Sequence, residues 1–103
     1  MQQISSMVVI SYGTLRHFYE QHADAKDTLN NWYRLVTQAD WANYHEVKAM
    51  FNTADAVGND RFVFDIRGNR YRIVAMIFFD IRTVYIRFVG THKAYDKINC
   101  STI

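Results

Sequence analysis

The sequence predicts an α+β protein in which a helical layer covers one face of a small, mainly antiparallel β-sheet. Three observations predict it. Apolar residues recur at helical spacing through the first half, the period drops to two after Asp55, and the pair Gly68-Asn69 separates two alternating runs. With 103 residues the chain supports one compact domain, 1–103, since a second core would have too few residues to bury. Residues 1–6 show no periodicity and are expected to form a tail.

Met7, Val8, Val9 and Ile10 form a short apolar run that suits a buried strand. From Ser11 the spacing turns helical. Leu15, Phe18 and Tyr19 fall three and four residues apart, with Ser11 or Thr14 available as amino cap and an end near His22. A second helix is expected from Asp24 to about Asp40, with Asp24 as its cap and Leu29, Trp32, Tyr33, Leu35 and Val36 as its apolar stripe. Asn43 followed three residues later by Glu46 is a capping-box arrangement, and it announces a short third helix carrying Val47, Met50 and Phe51.

In Arg61 to Arg67, Phe62, Phe64 and Ile66 alternate with Val63, Asp65 and Arg67; Gly68-Asn69 then makes a two-residue loop, and Arg70 to Phe79 returns. This loop fixes a register. Asp65 faces Arg72 and Val63 faces Val74 on one side of the sheet, while Ile66 faces Tyr71 and Phe64 faces Ile73 on the other. A turn over Asp80 to Thr83 leads to a last strand, Val84 to about Thr91. Pairing Phe79 with Val84 places Ile86 and Phe88 on the apolar face, Arg87 and Thr91 on the basic one, and Thr91 beside Arg72. The sheet is thus expected to have three or four strands, one face under the helices and the other partly open and edged with arginine.

Composition excludes several classes. Half the residues are hydrophobic, 16% are aromatic and Pro is absent, which is not the make-up of a disordered chain. The longest apolar run, Ile73 to Phe79, is far shorter than the roughly 20 residues of a membrane span, and the amino terminus lacks the pattern of a signal peptide, so a cytoplasmic protein without a membrane partner is expected. Cys100 is alone, which rules out an intramolecular disulfide and a cysteine metal cage. His17 and His22 have the wrong spacing for a helical metal pair, and the four glycines are too scattered for a phosphate-binding loop, so neither metal nor cofactor is expected.

Charge is divided unevenly. Residues 1–60 hold four Lys/Arg against seven Asp/Glu, whereas residues 61–103 hold eight against three. A basic half suits a phosphate-rich partner, because cations that neutralise phosphates release condensed counterions. The register gathers Arg67, Arg70, Arg72, Thr91, His92 and Lys93 near one end of the sheet, with Tyr95 close behind in sequence.

Cutting RNA through its own 2′-hydroxyl needs a group to take the 2′ proton, another to protonate the departing 5′ oxygen, and fixed positive charge at the phosphorus. An imidazole, with an ordinary pKa of about 6.5, makes His92 the natural proton carrier. Arg72 and Lys93 fit the charge role, Arg being the better two-point clamp on phosphate. Tyr95 suits base stacking or proton transfer, though a phenol needs neighbouring cations to act as a base. Arg67, Asn69, Arg70, Arg87 and Lys97 are candidate RNA contacts. Each residue has a plainer reading: Arg72 as the cross-strand partner of Asp65, His92 as a strand end, Arg67 and Arg70 as solvated charges at a hairpin tip.

The order of elements, together with Trp32-Tyr33, Ala39-Asp40-Trp41, the stretch ADAVGNDRFVFDIRGNRYRIV and the ending VYIRFVGTHKAYDKI, resembles the HigB family of toxins within the RelE superfamily. These stretches cover about two thirds of the chain, and GTHxxYDxI with the GNxYR hairpin is a specific signal. The resemblance implies the toxin half of a type II toxin–antitoxin pair, an mRNA endoribonuclease acting in the ribosomal A site and silenced by a helix-turn-helix antitoxin of the HigA type. It puts the functional positions on Arg72, His92, Lys93 and Tyr95, with Lys93 departing from the Ala common at that place. It does not assign base and acid between His92 and Tyr95. The sequence also admits two other readings: an inhibitor that has kept the fold without the chemistry, and a ribonuclease that works without the ribosome.

Overall fold

The computed structural model describes residues 6–103; the tail expected over residues 1–6 lies, apart from Ser6, outside the described residues. In chain order the elements are β1 (Val8–Ile10), α1 (Tyr12–Gln21), a 3-10 turn (Ala23–Ala25), α2 (Lys26–Gln38), α3 (Tyr44–Met50), β2 (Asp55–Gly58), β3 (Arg61–Ile66), β4 (Tyr71–Phe78), a second 3-10 turn (Phe79–Ile81), β5 (Thr83–Thr91) and α4 (His92–Tyr95). The five strands lie in the order β1-β5-β4-β3-β2. All neighbours run antiparallel except β1, which pairs parallel with β5.

The helices cover one face of this sheet. Leu15 of α1, Leu29, Trp32 and Val36 of α2 and Val47 of α3 meet Phe62, Phe64, Ile66, Tyr71, Ile73, Ala75 and Ile77 in a continuous core. Trp32 packs edge-on to Phe64 with ring centroids 5.3 Å apart, and Phe51 does the same from the end of α3 at 5.4 Å. The expected cap forms, Asn43 Oδ1 accepting from the Glu46 backbone N–H at 3.1 Å, while Glu46 Oε1 reaches one residue beyond the cap and accepts from the Ala42 N–H at 2.6 Å. Met50, expected in the apolar stripe, is instead 44% exposed, because α3 is only two turns long and turns that position outward.

The β3–β4 hairpin keeps the expected register, with Asp65 opposite Arg72, Val63 opposite Val74, Ile66 opposite Tyr71 and Phe64 opposite Ile73. The chain reverses through Arg67 and Gly68, both at positive φ (54° and 68°). Such a conformation is free of cost only for glycine, so Arg67 is held there by its contacts with the helical layer.

Four expectations about the elements and their register are corrected. Asp24 does not cap the second helix, which starts at Lys26 and ends at Gln38. Its carboxylate is taken by stronger donors: Arg70 Nη1 donates to Oδ2 at 2.7 Å, the Tyr71 hydroxyl donates to Oδ1, and Arg67 Nε lies 3.6 Å from Oδ2. The sheet has five strands instead of three or four; β2, only Asp-Ala-Val-Gly, is too short to show alternation. The turn before β5 falls one residue early, so Ile77, not Phe79, pairs with Val84.

The fourth correction matters most for the site. A β-bulge between Val74 and Ala75 leaves Arg87 as an extra residue on β5, and each later side chain changes face. Phe88 comes to the side of Arg72 opposite Val74; Gly90, not Thr91, stands opposite Arg72, and Thr91 pairs with Tyr71. The second face is also less open than expected. Val63 and Val74 are buried on it, and the chain after α4 returns across that side, where Ile103 O accepts from Arg61 Nη2 at 2.6 Å and from Arg87 Nε at 3.3 Å.

The Asp24 clamp yields a pH prediction. The Tyr71 hydroxyl, then the Arg70 and Arg67 guanidinium groups, hold the Asp24 carboxyl below the usual carboxylate range. A depressed folded-state value means stability that is complete above about pH 4, the ordinary Asp value, and lost as pH falls through the folded one. Asp24→Asn should therefore flatten the acid limb of a urea-midpoint profile taken from pH 6 down to 2; an unchanged limb would assign the acid loss to other carboxylates.

Candidate active site

Arg72 leaves the centre of the sheet on β4, with Asp65 across on β3. Its Nε sits 2.8 Å from Asp65 Oδ1, and the two side chains are 18% and 29% exposed. The plain cross-strand reading is thus met, yet it does not exhaust the residue: Arg72 Cζ also lies over the Tyr95 ring, 4.9 Å from its centroid. Asp65 faces the guanidinium as a counter-charge without a hydrogen bond to its buried Nε, and Tyr95 closes one side of it.

Tyr95 reaches Arg72 because the chain turns sharply after β5. Thr91 caps the single turn of α4, its Oγ1 accepting from the Ala94 N–H at 3.0 Å, and the His92 N–H donates to Arg70 O at 3.1 Å. The first bond closes the turn, and the second pins its start to the residue that precedes β4. The Thr-His-Lys-Ala-Tyr spacing then swings Tyr95 back over the sheet, where its ring meets Phe88 at 6.5 Å between centroids. Burial, and after it the adjoining Cys100 side chain, push the Tyr95 hydroxyl up to about 12, against the lowering effect of Arg72. The phenol is therefore protonated throughout the physiological range, a donor and not a base.

His92 is half-exposed at the same corner. Its Nδ1 lies 3.3 Å from Asp96 Oδ2, one helical turn on. A carboxylate at Nδ1 favours the proton there and leaves Nε2 as the nitrogen free to accept one. Lys93 and Lys97 are exposed on the same terminal segment.

The remaining candidates separate. Arg67 and Arg70 turn toward Asp24 on the helical side, and Asn69 is exposed at the hairpin tip between them. Arg87, at the bulge, donates to Ile103 O and so lies toward the returning C-terminal segment. The structure brings Arg72, Tyr95 and the His92 turn together, while Arg67, Arg70 and Arg87 are held by other partners away from them. Sequence reasoning missed Phe88, which the bulge delivers, and Asp96, whose place four residues after His92 is a readable signal.

A helical layer on one face of a five-stranded, mostly antiparallel open sheet fits a RelE-like fold. Residues 25–98 match the HigB_toxin family, described as the RelE-like toxic component of a toxin–antitoxin system, and the chain belongs to that family. It is similar to the "mRNA interferase toxin HigB" of Escherichia coli (strain K12), with 32% identity over 92 residues, covering 87% of this chain and 88% of the relative. The "mRNA interferase HigB" of Shigella flexneri shows the same identity and coverage.

Proposed function

We propose that this toxin is an endoribonuclease that cuts mRNA in the ribosomal A site at the Arg72–Tyr95–His92 corner, and that it works in the cytoplasm as a single domain without metal. The observation that carries the reading is the Arg72 guanidinium held 4.9 Å from the Tyr95 ring beside the His92 turn. In this scheme His92 Nε2 takes the 2′ proton and the 2′ oxygen attacks phosphorus. Arg72 and Lys93 offset the charge that gathers on the phosphate oxygens. The P–O5′ bond breaks as Tyr95 gives its proton to the departing oxygen, leaving a 2′,3′-cyclic phosphate and a 5′-hydroxyl. Water then returns a proton to the phenolate and removes one from the imidazolium.

Arg67, Asn69, Arg70, Arg87 and Lys97 are assigned to the RNA and ribosome backbone, where each added phosphate contact steepens the salt dependence of binding. A helix-turn-helix antitoxin of the HigA type silences the toxin, by covering the basic side or by keeping it off the ribosome. Incubation of one mRNA with and without ribosomes tests the substrate. New ends inside codons are expected only with ribosomes, and equal cutting of naked RNA would overturn ribosome dependence.

A further inference from the structure

β1 ends at Ile10, opposite Tyr85, so among the described residues the outer edge of β5 from Ile86 onward has no strand beside it. The first half of α1 stands off from that edge, and a cleft of about 550 Å³ opens between them, within the roughly 300–1,000 Å³ of small-molecule sites. Its walls are Phe88 and Val89 on the strand and Ser11, Thr14, His17 and Phe18 on the helix side. Phe88 belongs to two places at once. It lines the cleft, and its ring packs against Tyr95 at 6.5 Å. Gly90 keeps that ring where it is, since a Cβ at position 90 would sit 2.5 Å from Phe88 Cζ.

We infer that this cleft is a nucleobase subsite: it takes the base of a nucleotide flanking the cut, stacked on the Phe88 ring, while Arg72 and Tyr95 hold the scissile phosphate. The inference rests on the endonuclease reading above and adds to it where the neighbouring base goes. An RNA chain leaving the phosphate beside Tyr95 meets Phe88 next, and unstacked bases are taken up on aromatic faces. His17 and the Ser11 and Thr14 hydroxyls supply polar edges on the opposite wall, where a base presents its donors and acceptors. The half-open position on the sheet edge leaves room for the backbone to enter without displacing the helices.

The test uses programmed ribosomes carrying a short mRNA in which each nucleotide flanking the cut is replaced, in turn, by an abasic ribose. For the unaltered toxin, one of the two abasic substrates should lose about ten- to a hundredfold in kcat/KM, the worth of one base stacked on an aromatic ring. Phe88→Leu should be slower on the intact mRNA and indifferent to that abasic replacement. Thr14→Trp, which blocks the cleft without touching Tyr95, should raise KM and leave kcat near its original value. Equal sensitivity of the original and Phe88→Leu proteins to the abasic ribose would overturn the subsite, since a ring that only props Tyr95 cannot remove a base effect. Loss of antitoxin binding by Thr14→Trp with undiminished cutting would also overturn it, and would give the cleft to a peptide. If the unaltered toxin cuts no ribosome-bound mRNA at all, it is the endonuclease reading that fails first.

Discussion

Tyr95→Phe should slow cutting of ribosome-bound mRNA by about 10²–10⁴-fold, the worth of one positioned proton donor, while leaving the thermal midpoint nearly unchanged. The substitution keeps the ring that packs between Arg72 and Phe88 and removes only the hydroxyl. Its size follows from the state of that hydroxyl. A phenol pushed up to about 12 by burial and by Cys100 retains its proton at pH 7, so it is prepared to give one to a leaving alkoxide and unable to accept one. Tyr95→Phe should therefore remove activity at every pH between 6 and 9 by a similar factor. A loss confined to the alkaline end would mean that the phenolate is the working form, with the proton flow reversed between Tyr95 and His92.

Arg72→Ala is the second large effect. Removing one preorganised charge-stabilising donor costs about 10²–10³-fold in turnover, and here Tyr95 loses the cation over its ring as well. The measured defect should thus exceed that of Arg70→Ala or Arg67→Ala, whose guanidinium groups are turned to Asp24. Arg72→Lys should recover only part, because an ammonium cannot keep the planar contact with Tyr95 and also present two parallel donors to phosphate. Single-turnover rates on programmed ribosomes check both variants, and circular dichroism shows whether the sheet survives the unpaired Asp65. Equal defects for Arg72→Ala and Arg70→Ala would mean that general basicity, and not this corner, carries the effect.

How much of this was legible beforehand differs between elements for physical reasons. The β3–β4 hairpin was fully legible, because a short loop and a period of two fix every cross-strand pair once one is known. The α3 cap was legible because it depends on residues three apart in sequence. The failures are long-range. Asp24 has the chemistry of a helix cap, and only the fold brings Arg70 and Tyr71, more than forty residues away, to compete for it. The bulge opposite Val74 leaves no mark in the pattern of β5, since Ile86, Phe88 and Val89 are all apolar and either face would accept them. The site was legible in its members more than in its geometry. Arg72 came from the register, His92 and Tyr95 from their chemistry and the family resemblance, and the Phe88 wall from neither.

The central claim is that this corner breaks RNA by attack of its own 2′-hydroxyl. The most direct measurement places a single 2′-deoxyribose on the 5′ side of the cut in a ribosome-bound mRNA and follows the products of one turnover. The account predicts no cutting at the deoxy position, and a 2′,3′-cyclic phosphate with a 5′-hydroxyl from the all-ribose strand. Cutting of the deoxy strand at an undiminished rate would contradict it, because the nucleophile would then be water and His92 would have no 2′ proton to take.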